Sequence, residues 1–315
     1  MARYRNALPQ LSGGLFLTDG GIETTLIFHE GFDLPYFAAF DLLRQQRGRT
    51  ALWDYYARYA DMAAQKGFGF IFESPTWRAS RDWGERLGYS SKELAEANRQ
   101  AIALLHDLRL AFETDASPMV VSGCVGPRGD GYDPGHKMTS VEAEAYHGRQ
   151  IGAFAESGAD MVTAITMNYA EEAIGVARAA AAEGLPVVIS FTVETDGRLP
   201  TGQTLKDAIE WVDAATRYAP AYYMINCAHP DHFAQALADK EAWLQRLRGL
   251  RANASRLSHA ELDEAEELDD GDPQELGQLH GALRRRLGHL NVFGGCCGTD
   301  HRHVEAIGHA CKAAA

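Results

Sequence analysis

The chain has 315 residues, of which 46% are hydrophobic and 23% are charged, and its formal net charge is −13. This composition is typical of a folded globular protein and excludes a disordered chain, a collagen-like chain and a disulfide-rich secreted scaffold. The excess of negative charge argues against nucleic acid or an anionic membrane surface as a partner. No apolar run approaches the roughly 20 residues needed to span a bilayer.

Short apolar runs alternate with amphipathic segments along the chain, a pattern that indicates parallel strands joined by helices. Several runs follow a glycine, such as Gly67, Gly158 or Gly184, that suits the left-handed residue at the end of a helix. Eight such units predict an α/β fold consisting of one domain over residues 1–315, a single (β/α)8 TIM barrel, with a doubly wound open sheet as the alternative. The predicted strands cover residues 15–19, 68–73, 119–123, 160–165, 186–192, 221–226, roughly 250–253, where Arg251 interrupts the run, and 290–295.

The segments between the strands carry helix signals. Ser90 with Glu93 and Thr139 with Glu142 each fit a capping box, in which a hydroxyl and a carboxylate bond to the first backbone amides of a helix. Residues 50–66 carry an apolar stripe at helical spacing, which predicts a helix packed on the sheet. The stripe consists of Leu52, Tyr55, Tyr56, Tyr59, Met62 and Ala63.

Residues 261–275, which we call the acidic segment, contain nine carboxylates between predicted strands seven and eight. Like charges at this density resist packing, so we predict an acidic insertion that forms a solvated excursion from the barrel. A lid over the active site is the alternative, because long barrel loops often carry function.

Three cysteines follow predicted strands directly: Cys227 follows strand six, and Cys296 and Cys297 follow strand eight. The carboxyl ends of all strands meet at one mouth of a TIM barrel. Three thiolates there predict a tetrahedral Zn²⁺ site with one position left open, which is the catalytic pattern. Asn226 precedes a ligand, and we expect it to orient the thiolate by hydrogen bonds.

Adjacent cysteines can share one ion only if the backbone turns sharply, because neighbouring side chains of a strand point to opposite faces. Gly294, Gly295 and Gly298 permit such a turn. A vicinal Cys296–Cys297 disulfide and plain packing are the alternatives.

The chain has five cysteines and no apolar signal-peptide core in its first residues. An odd cysteine count without an export signal predicts reduced thiols and a cytoplasmic location. Cys311 falls on the apolar face of the last predicted helix, where we expect it to be buried.

Several motifs together are similar to those of a known family. They are INC at 225–227, GGCCGT at 294–299, TDGGIET at 18–24, ESPT at 73–76, GCVGP at 123–127 and GQTL at 202–205. Over residues 16–311 the chain resembles the homocysteine S-methyltransferase family. The resemblance implies a TIM barrel in which Cys227, Cys296 and Cys297 hold zinc and a thiol acceptor, homocysteine or a related thiol, enters as the fourth ligand.

The chemistry of a thiol explains the need for a metal. A free thiol has a pKa near 8.5, so little of it is thiolate at neutral pH, and a bound metal lets the proton leave. Three thiolates on Zn²⁺ carry a net charge of about −1, and the acceptor makes it about −2, which keeps its sulfur electron-rich. The methyl donor must then be a small activated molecule, expected to be an onium compound, because neutral amines and thioethers are poor leaving groups.

The resemblance also implies substrate contacts. We expect Asp19 and Glu23 to receive the amino group of an amino-acid acceptor, and the amides of Gly20 and Gly21 to receive its carboxylate. The remaining substrate-binding residues expected from the motifs are Thr24, Glu73, Thr76, Thr166 and Asn168.

Strand four departs from the family pattern, which has Glu-Thr at its end, the glutamate binding the amino group of the acceptor. Here Ile165 stands in place of the glutamate and Thr166 is retained. An isoleucine accepts no hydrogen bond from an ammonium group. Either Asn168 or Glu194 substitutes for the glutamate, or the acceptor is a thiol other than homocysteine.

A chain of this length leaves no room for a separate cobalamin or folate domain, which favours a small donor. Trp77, Tyr132 and Tyr169 lie near predicted strand ends and could form a cation–π cage for an onium group. Two other functions stay open, a zinc-dependent hydrolase and a non-catalytic zinc- or redox-sensing barrel. All-thiolate ligation makes zinc a weaker Lewis acid, which disfavours the hydrolase. The sequence leaves open whether copies of the chain form a homo-oligomer.

Overall fold

The computed structural model describes residues 2–238, 241–265 and 267–314. Eight strands form a closed barrel in which each strand pairs in parallel with the next along the chain, and the eighth pairs with the first. This arrangement confirms the TIM barrel and rules out the open sheet. The strands are β1 (Phe16–Leu17), β2 (Gly69–Glu73), β3 (Met119–Val125), β4 (Met161–Met167), β5 (Val187–Thr192), β6 (Pro220–Asn226), β7 (Leu247–Ala252) and β8 (Val292–Gly295).

The helices surround the barrel, and within the described ranges none is long and apolar enough to cross a membrane. The α-helices are α1 (Ile22–Thr24), α2 (Gln46–Lys66), α3 (Arg81–Arg86), α4 (Ser91–Phe112), α5 (Ser140–Glu156), α6 (Ala170–Ala182), α7 (Leu205–Thr216), α8 (Pro230–Phe233), α9 (His259–Asp263), α10 (Pro273–Arg286) and α11 (His301–Ala313). Short 3-10 turns cover Pro9–Ser12, Pro35–Phe37, Ala39–Arg44 and Ala242–Arg246, and a π-helical turn covers Thr25–His29.

The predicted helix signals are confirmed. Ser90 and Thr139 form capping boxes at the starts of α4 and α5. Gly67 ends α2 with a left-handed φ of 68°. The helix α2 begins four residues before the predicted segment, and its apolar stripe is buried except for the half-buried Met62.

Every strand differs from its predicted bounds by one to three residues at one or both ends, and the differences at β1 and β7 affect the site. Only Phe16 and Leu17 of the first apolar run form β1, and β7 begins at Leu247 with Arg251 inside it. The prediction that Arg251 interrupts the seventh strand is wrong, because its buried guanidinium forms an ion pair of 2.8 Å with Asp19. A charge inside a strand is tolerated where an opposite charge compensates for it.

Alternate residues of the strands build two apolar layers, as expected for a barrel covered by helices. Ile71 packs with the interior cluster, whereas its neighbours Phe70 and Phe72 pack with the large cluster that includes helix residues. At the end where the strands begin, Leu8 joins the interior cluster, and the amide of Asn291 donates to the carbonyl of Gln10 at 2.7 Å. The first residues thus close one end of the barrel, and the site lies at the other.

Candidate metal centre and substrate cavity

A cavity of about 430 Å³ lies where the strands end. Most of the residues predicted to be functional line it, although they come from five different strand ends. They are Asp19, Gly20, Gly21, Glu23, Thr24, Glu73, Thr166, Cys227, Cys296 and Cys297.

The sulfur atoms of Cys227, Cys296 and Cys297 all lie within 4.8 Å of one another. Cys227 and Cys296, which are 69 residues apart, form a disulfide with a Cα–Cα distance of 5.3 Å, and the thiol of Cys297 is free. The alternative of a vicinal Cys296–Cys297 disulfide is therefore wrong. The prediction of five reduced thiols is also wrong for this pair, because the fold brings the ends of β6 and β8 together and the two sulfurs are bonded to each other.

The strand between them, β7, brings these cysteines together. The amide of Cys227 donates to the carbonyl of Arg251 at 3.1 Å, and the amide of Cys296 donates to the carbonyl of Ala252 at 2.8 Å. Cys227 has a φ of 52°, a left-handed conformation that is rare outside glycine, and His259 Nε2 contacts its carbonyl oxygen at 2.6 Å. Two consecutive carbonyls of β7 thus hold the segment that carries Cys227 next to the segment that carries Cys296.

The Asp-Gly-Gly turn packs directly against the loop that carries the cysteine pair. A Cβ on Gly21 would lie 2.5 Å from the carbonyl oxygen of Cys296, and one on Gly20 would lie 2.7 Å from that of Thr299. The Gly21 amide donates to Thr299 at 3.0 Å, so it is not free to bind a carboxylate as predicted. The two glycines permit close approach of the backbone instead.

The glycines that flank the cysteine pair also differ in their roles. Gly298 has a left-handed φ of 77°, as expected for a sharp turn. Gly294 and Gly295 continue β8, and a Cβ on either would collide with a threonine side chain, Thr18 or Thr299. Gly298 therefore provides the backbone conformation of the turn. At Gly294 and Gly295 the neighbouring side chains leave no room for a Cβ atom.

The three sulfurs fit a zinc ion. Zinc in a tetrahedral site binds cysteine sulfur at about 2.3 Å, which places ligand sulfurs about 3.8 Å apart. The three sulfurs lie within 4.8 Å of one another, and the bonded pair, Cys227 and Cys296, would have to separate to reach this spacing. Zinc binds thiolates, so the Cys227–Cys296 bond must be reduced before both residues can act as ligands. Cys124 also lines the cavity, but it does not belong to this cluster.

Asp19 is buried, and both of its carboxylate oxygens are engaged. Arg251 Nη2 donates to Oδ1 at 2.8 Å, and Tyr55 donates to Oδ2 at 3.0 Å. Both oxygens of Asp19 thus have partners within the protein, and its contact with the amino group of the acceptor stays a prediction. The signal for Arg251 in the sequence was a charged residue inside an apolar strand.

Two other carboxyl groups of the predicted site, Glu23 and Glu73, line the cavity and form no ion pair with any described residue. Glu23 is half-buried, and burial raises its pKa to about 7. Glu73, at the end of β2, accepts from the Thr163 hydroxyl at 2.8 Å through Oε1, while its Oε2 has no partner among the described residues. Burial raises the pKa of Glu73 to about 7. Both groups can gain or lose a proton near neutral pH.

Asn226 does not contact the cysteine sulfurs through hydrogen bonds. Its side-chain amide donates to the Thr166 hydroxyl at 2.9 Å, and its Oδ1 accepts from the Thr166 amide at 3.0 Å and the Ser190 hydroxyl at 2.6 Å. These bonds fix Thr166, whose φ of 65° is left-handed, at the cavity wall. The role of orienting a zinc-bound thiolate stays a prediction, because Cys227 is bonded to Cys296 here.

Thr76 and Asn168 lie behind the cavity wall, which corrects their predicted contact with substrate. The Thr76 hydroxyl donates to the carbonyl of Cys124 at 2.7 Å, and the Asn168 amide donates to the carbonyl of Asp130 at 3.0 Å. Both side chains hold loops that border the cavity. Thr24 lines the cavity and accepts from the Gly298 amide at 3.2 Å.

Ile165 lines the cavity beside aromatic residues, where the family pattern has a glutamate. Trp77 lines the same wall, and its indole nitrogen donates to the carbonyl of Ile165 at 3.3 Å. Glu194, offered as a substitute for the missing glutamate, instead contacts His259 Nδ1 at 3.1 Å. This part of the wall is apolar.

The predicted cation–π cage is incomplete. Tyr132 lines the cavity, lies 3.7 Å from Cys297 Sγ through its hydroxyl, and stacks on His259 with ring centroids 3.8 Å apart. Trp77 also lines the cavity, but Tyr169 does not, and its hydroxyl accepts from the Met138 amide at 3.0 Å. Two of the three aromatic residues therefore face the cavity.

The acidic segment leaves the barrel between β7 and β8, and most of it is exposed. It is nevertheless held to the barrel, because Arg302 pairs with Asp270 at 2.8 Å and Arg256 pairs with Glu275 at 2.7 Å. It also forms part of the cavity wall, which an excursion free in solvent would not do. The segment residues that line the cavity are Leu262, Asp263, Ala265, Glu267, Leu268 and Asp269.

Solved structures of one bacterial enzyme share this fold. The homocysteine methyltransferase MmuM from Escherichia coli, in its oxidized form, has a TM-score of 0.73 and 18% sequence identity, covering 98% of this chain and 99% of that chain. The metallated form of the same enzyme has a TM-score of 0.71 and 18% identity, covering 96% of this chain and 98% of that chain. At this level of identity the likeness establishes the fold.

The family is established by the sequence itself. Residues 16–311 match the homocysteine S-methyltransferase family, which confirms the resemblance drawn from the motifs. The chain belongs to the homocysteine S-methyltransferase family and is a methyltransferase that acts on a thiol.

Proposed function

We propose that the chain is a zinc-dependent S-methyltransferase that moves a methyl group from a small onium donor to a zinc-bound thiol, homocysteine or a related acceptor. One observation carries the proposal. Three cysteine sulfurs from the ends of β6 and β8 lie within 4.8 Å of one another and line a cavity large enough for small substrates.

Cys227, Cys296 and Cys297 would hold the ion once the disulfide is reduced. Zinc bound there would supply a site at which an acceptor thiol loses its proton at neutral pH. The carbonyls of Arg251 and Ala252 keep the cysteine segments in register, since they accept the amides of Cys227 and Cys296. Cysteine ligands leave the bound acceptor sulfur electron-rich, as attack on a methyl group requires.

Glu23 is the carboxyl group that we assign to the amino group of the acceptor, since Asp19 is already paired with Arg251. Glu73 and Thr166 line the same cavity and are proposed as further substrate contacts. The apolar Ile165 makes the wall at β4 a poor site for an ammonium group. We therefore expect weak binding of homocysteine or a preference for another thiol; methyl transfer to homocysteine itself would yield methionine.

The charge of the cavity supports an onium donor. Carboxylates of Asp130, Asp263, Glu267 and Asp269 lie along its rim, where they favour a cation over an anionic donor. Trp77 and Tyr132 add aromatic surface for a methylated cation. We place the reaction in the cytoplasm, because a reducing compartment keeps the zinc ligands as thiols.

The test is a screen of thiol acceptors against onium donors with the reduced, zinc-loaded protein, in which mass spectrometry detects the methylated thiol. We expect transfer that requires both partners and stops when zinc is removed. Cleavage of the donor without any thiol would indicate the hydrolase instead. Zinc binding without turnover across the screen would favour the sensing barrel.

A further inference from the structure

Arg78 lies five residues beyond the end of β2 and lines the cavity, yet the proposed function gives it no task. Its side chain is only 6% exposed. Nη1 donates to the carbonyl of Gly129 at 2.8 Å, whereas Nη2 forms an ion pair of 3.6 Å with the exposed Asp130, a distance too long for a hydrogen bond. Nε has no partner among the described residues. A buried guanidinium with unused donors beside a cavity is a candidate binding group.

Two indole rings hold this guanidinium in place. Its central carbon lies 4.0 Å from the ring centroid of Trp77 and 3.8 Å from that of Trp83. Stacking on aromatic faces stabilises the cation and limits its rotation, which fixes the direction of its N–H groups. Burial lowers the pKa of Arg78 to about 10, so the group keeps its charge at neutral pH.

Glu23 lines the same cavity and carries the opposite charge when its carboxyl group is ionised. The two groups interact electrostatically but form no salt bridge with each other within the described ranges. A positive and a negative group separated by a cavity complement a ligand that carries both charges. An uncharged ligand or a simple cation would leave Arg78 unused.

We infer that Arg78 binds the carboxylate of a small zwitterionic substrate whose cationic group faces Glu23. A guanidinium can donate two parallel hydrogen bonds to a carboxylate, which is among the stronger polar contacts in proteins. This assigns to Arg78 the role that the Gly20 and Gly21 amides were expected to fill. The inference rests on the proposed function for the identity of the substrate, since the acceptor and a carboxylate-bearing onium donor share this chemistry.

The test compares wild-type enzyme with Arg78→Gln and Arg78→Lys in steady-state kinetics. Each substrate is varied in turn while the other is saturating. We expect Arg78→Gln to raise the KM of one carboxylate-bearing substrate by about 10- to 100-fold, because a hydrogen bond to a charged group contributes about 1.5–3 kcal/mol. The affected substrate, acceptor or donor, identifies the source of the carboxylate. The KM of Arg78→Lys should lie between those of wild type and Arg78→Gln. A substrate analogue without the carboxylate should have the same KM with wild type and with Arg78→Gln.

Arg86→Gln is the matched control, because Arg86 stacks on the same Trp83 ring at 4.5 Å without lining the cavity. It should leave the KM values unchanged. Thermal unfolding of each variant separates a binding effect from a folding defect. If Arg78→Gln folds and its KM values for both carboxylate-bearing substrates stay within about twofold of wild type, the inference is overturned.

A binding experiment keeps this inference separate from the proposed function. Isothermal titration calorimetry on the reduced, zinc-loaded protein would use methionine and glycine betaine as zwitterionic probes. Loss of binding in Arg78→Gln, even where no turnover is found, supports the role of Arg78 while the proposed function fails. Equal binding by the variant, or no binding of either probe by wild type, contradicts it even if methyl transfer is observed.

Discussion

The cysteine side of the cavity, at the ends of β6, β7 and β8, is held mainly by backbone hydrogen bonds and tight glycine contacts. The wall at the ends of β2 and β4 is held by side chains: the Trp77 indole donates to the Ile165 carbonyl at 3.3 Å, and Arg78 stacks between two indoles. A position held by backbone hydrogen bonds and close glycine contacts accepts few other residues. A wall held by side chains can accept a substitution when the neighbouring side chains change as well. The cysteine motifs follow the family pattern, and Ile165 on the opposite wall departs from it.

The two sides also handle charge differently. On the cysteine side, the negative charge of Asp19 is paired with Arg251 at 2.8 Å. On the other side, Arg78 and Glu73 have unused polar atoms. An ion pair with short hydrogen bonds stabilises a framework, whereas polar atoms without a hydrogen-bond partner can be satisfied by a ligand. We expect changes on the cysteine side to abolish metal binding or folding, and changes on the other side to alter substrate preference.

Substitution of the cysteines proposed to bind zinc should have the largest effect. Cys227→Ala or Cys297→Ala should abolish zinc retention and lower methyl transfer by at least about 1,000-fold, because a zinc site that loses one of three protein ligands is severely weakened. Metal analysis of the purified variants checks this. Cys124→Ala is the matched control, since Cys124 lines the cavity outside the cluster and should keep its zinc. Full zinc content in Cys227→Ala would defeat the assignment.

Disrupting the ion pair between Arg251 and Asp19 should have the next largest effect. Arg251→Met leaves the buried carboxylate of Asp19 without its cation, which should lower the free energy of unfolding by about 3–5 kcal/mol. Urea denaturation measures the loss. The double variant Asp19→Asn, Arg251→Met removes both charges and should recover much of it. A single variant as stable as wild type would show that the pair does not hold this side together.

Glu73 should have a smaller, pH-dependent effect. Burial raises its pKa to about 7, so the fold favours the protonated carboxyl, and this stabilisation is present at low pH and lost as pH rises through about 7. Glu73→Gln should therefore be more stable than wild type at pH 8, by up to about 3 kcal/mol, with little difference near pH 4. Urea midpoints at both pH values test this, with the exposed Glu85→Gln as control. An equal difference at both pH values would argue against it.

Ile165 should give the smallest change, confined to specificity. Ile165→Glu supplies the carboxylate that the family pattern has at the end of strand four, and it should lower the KM for homocysteine by about tenfold, the equivalent of about 1.4 kcal/mol. Ile165→Leu, which keeps the wall apolar, should not. Acceptor kinetics with a thiol that lacks an amino group provide the reference. A wild-type enzyme that already has its lowest KM and fastest turnover with homocysteine would contradict the expectation.

Much of the fold could be predicted because its signals are local. Alternation of apolar runs with capped helices indicates β/α units, and Cys227 and Cys296 fall directly after strands whose ends must meet in a barrel. Their positions in the sequence were therefore sufficient to predict that these sulfurs lie close together. The sequence could not show that two of them form a disulfide, since that depends on the distance between atoms and on their oxidation state.

The errors arose where a side chain had partners that are distant in the sequence. The sequence around Arg251 predicts a break in a strand, because its partner, Asp19, lies 232 residues away. The sequence likewise does not show that the Asn226 amide bonds to Thr166 on β4. Arg78 gave no signal at all, because only packing shows that two tryptophans enclose it.

The most direct test of the central claim is zinc-edge X-ray absorption on the reduced, zinc-loaded protein, recorded with and without a thiol acceptor. The three-cysteine centre predicts three sulfur ligands at about 2.3 Å and one lighter ligand in the free enzyme, changing to four sulfurs when the acceptor binds. Fewer than three sulfur ligands in the free enzyme, or a spectrum that an active acceptor leaves unchanged, would contradict the claim that the three cysteines bind zinc and present it to a thiol.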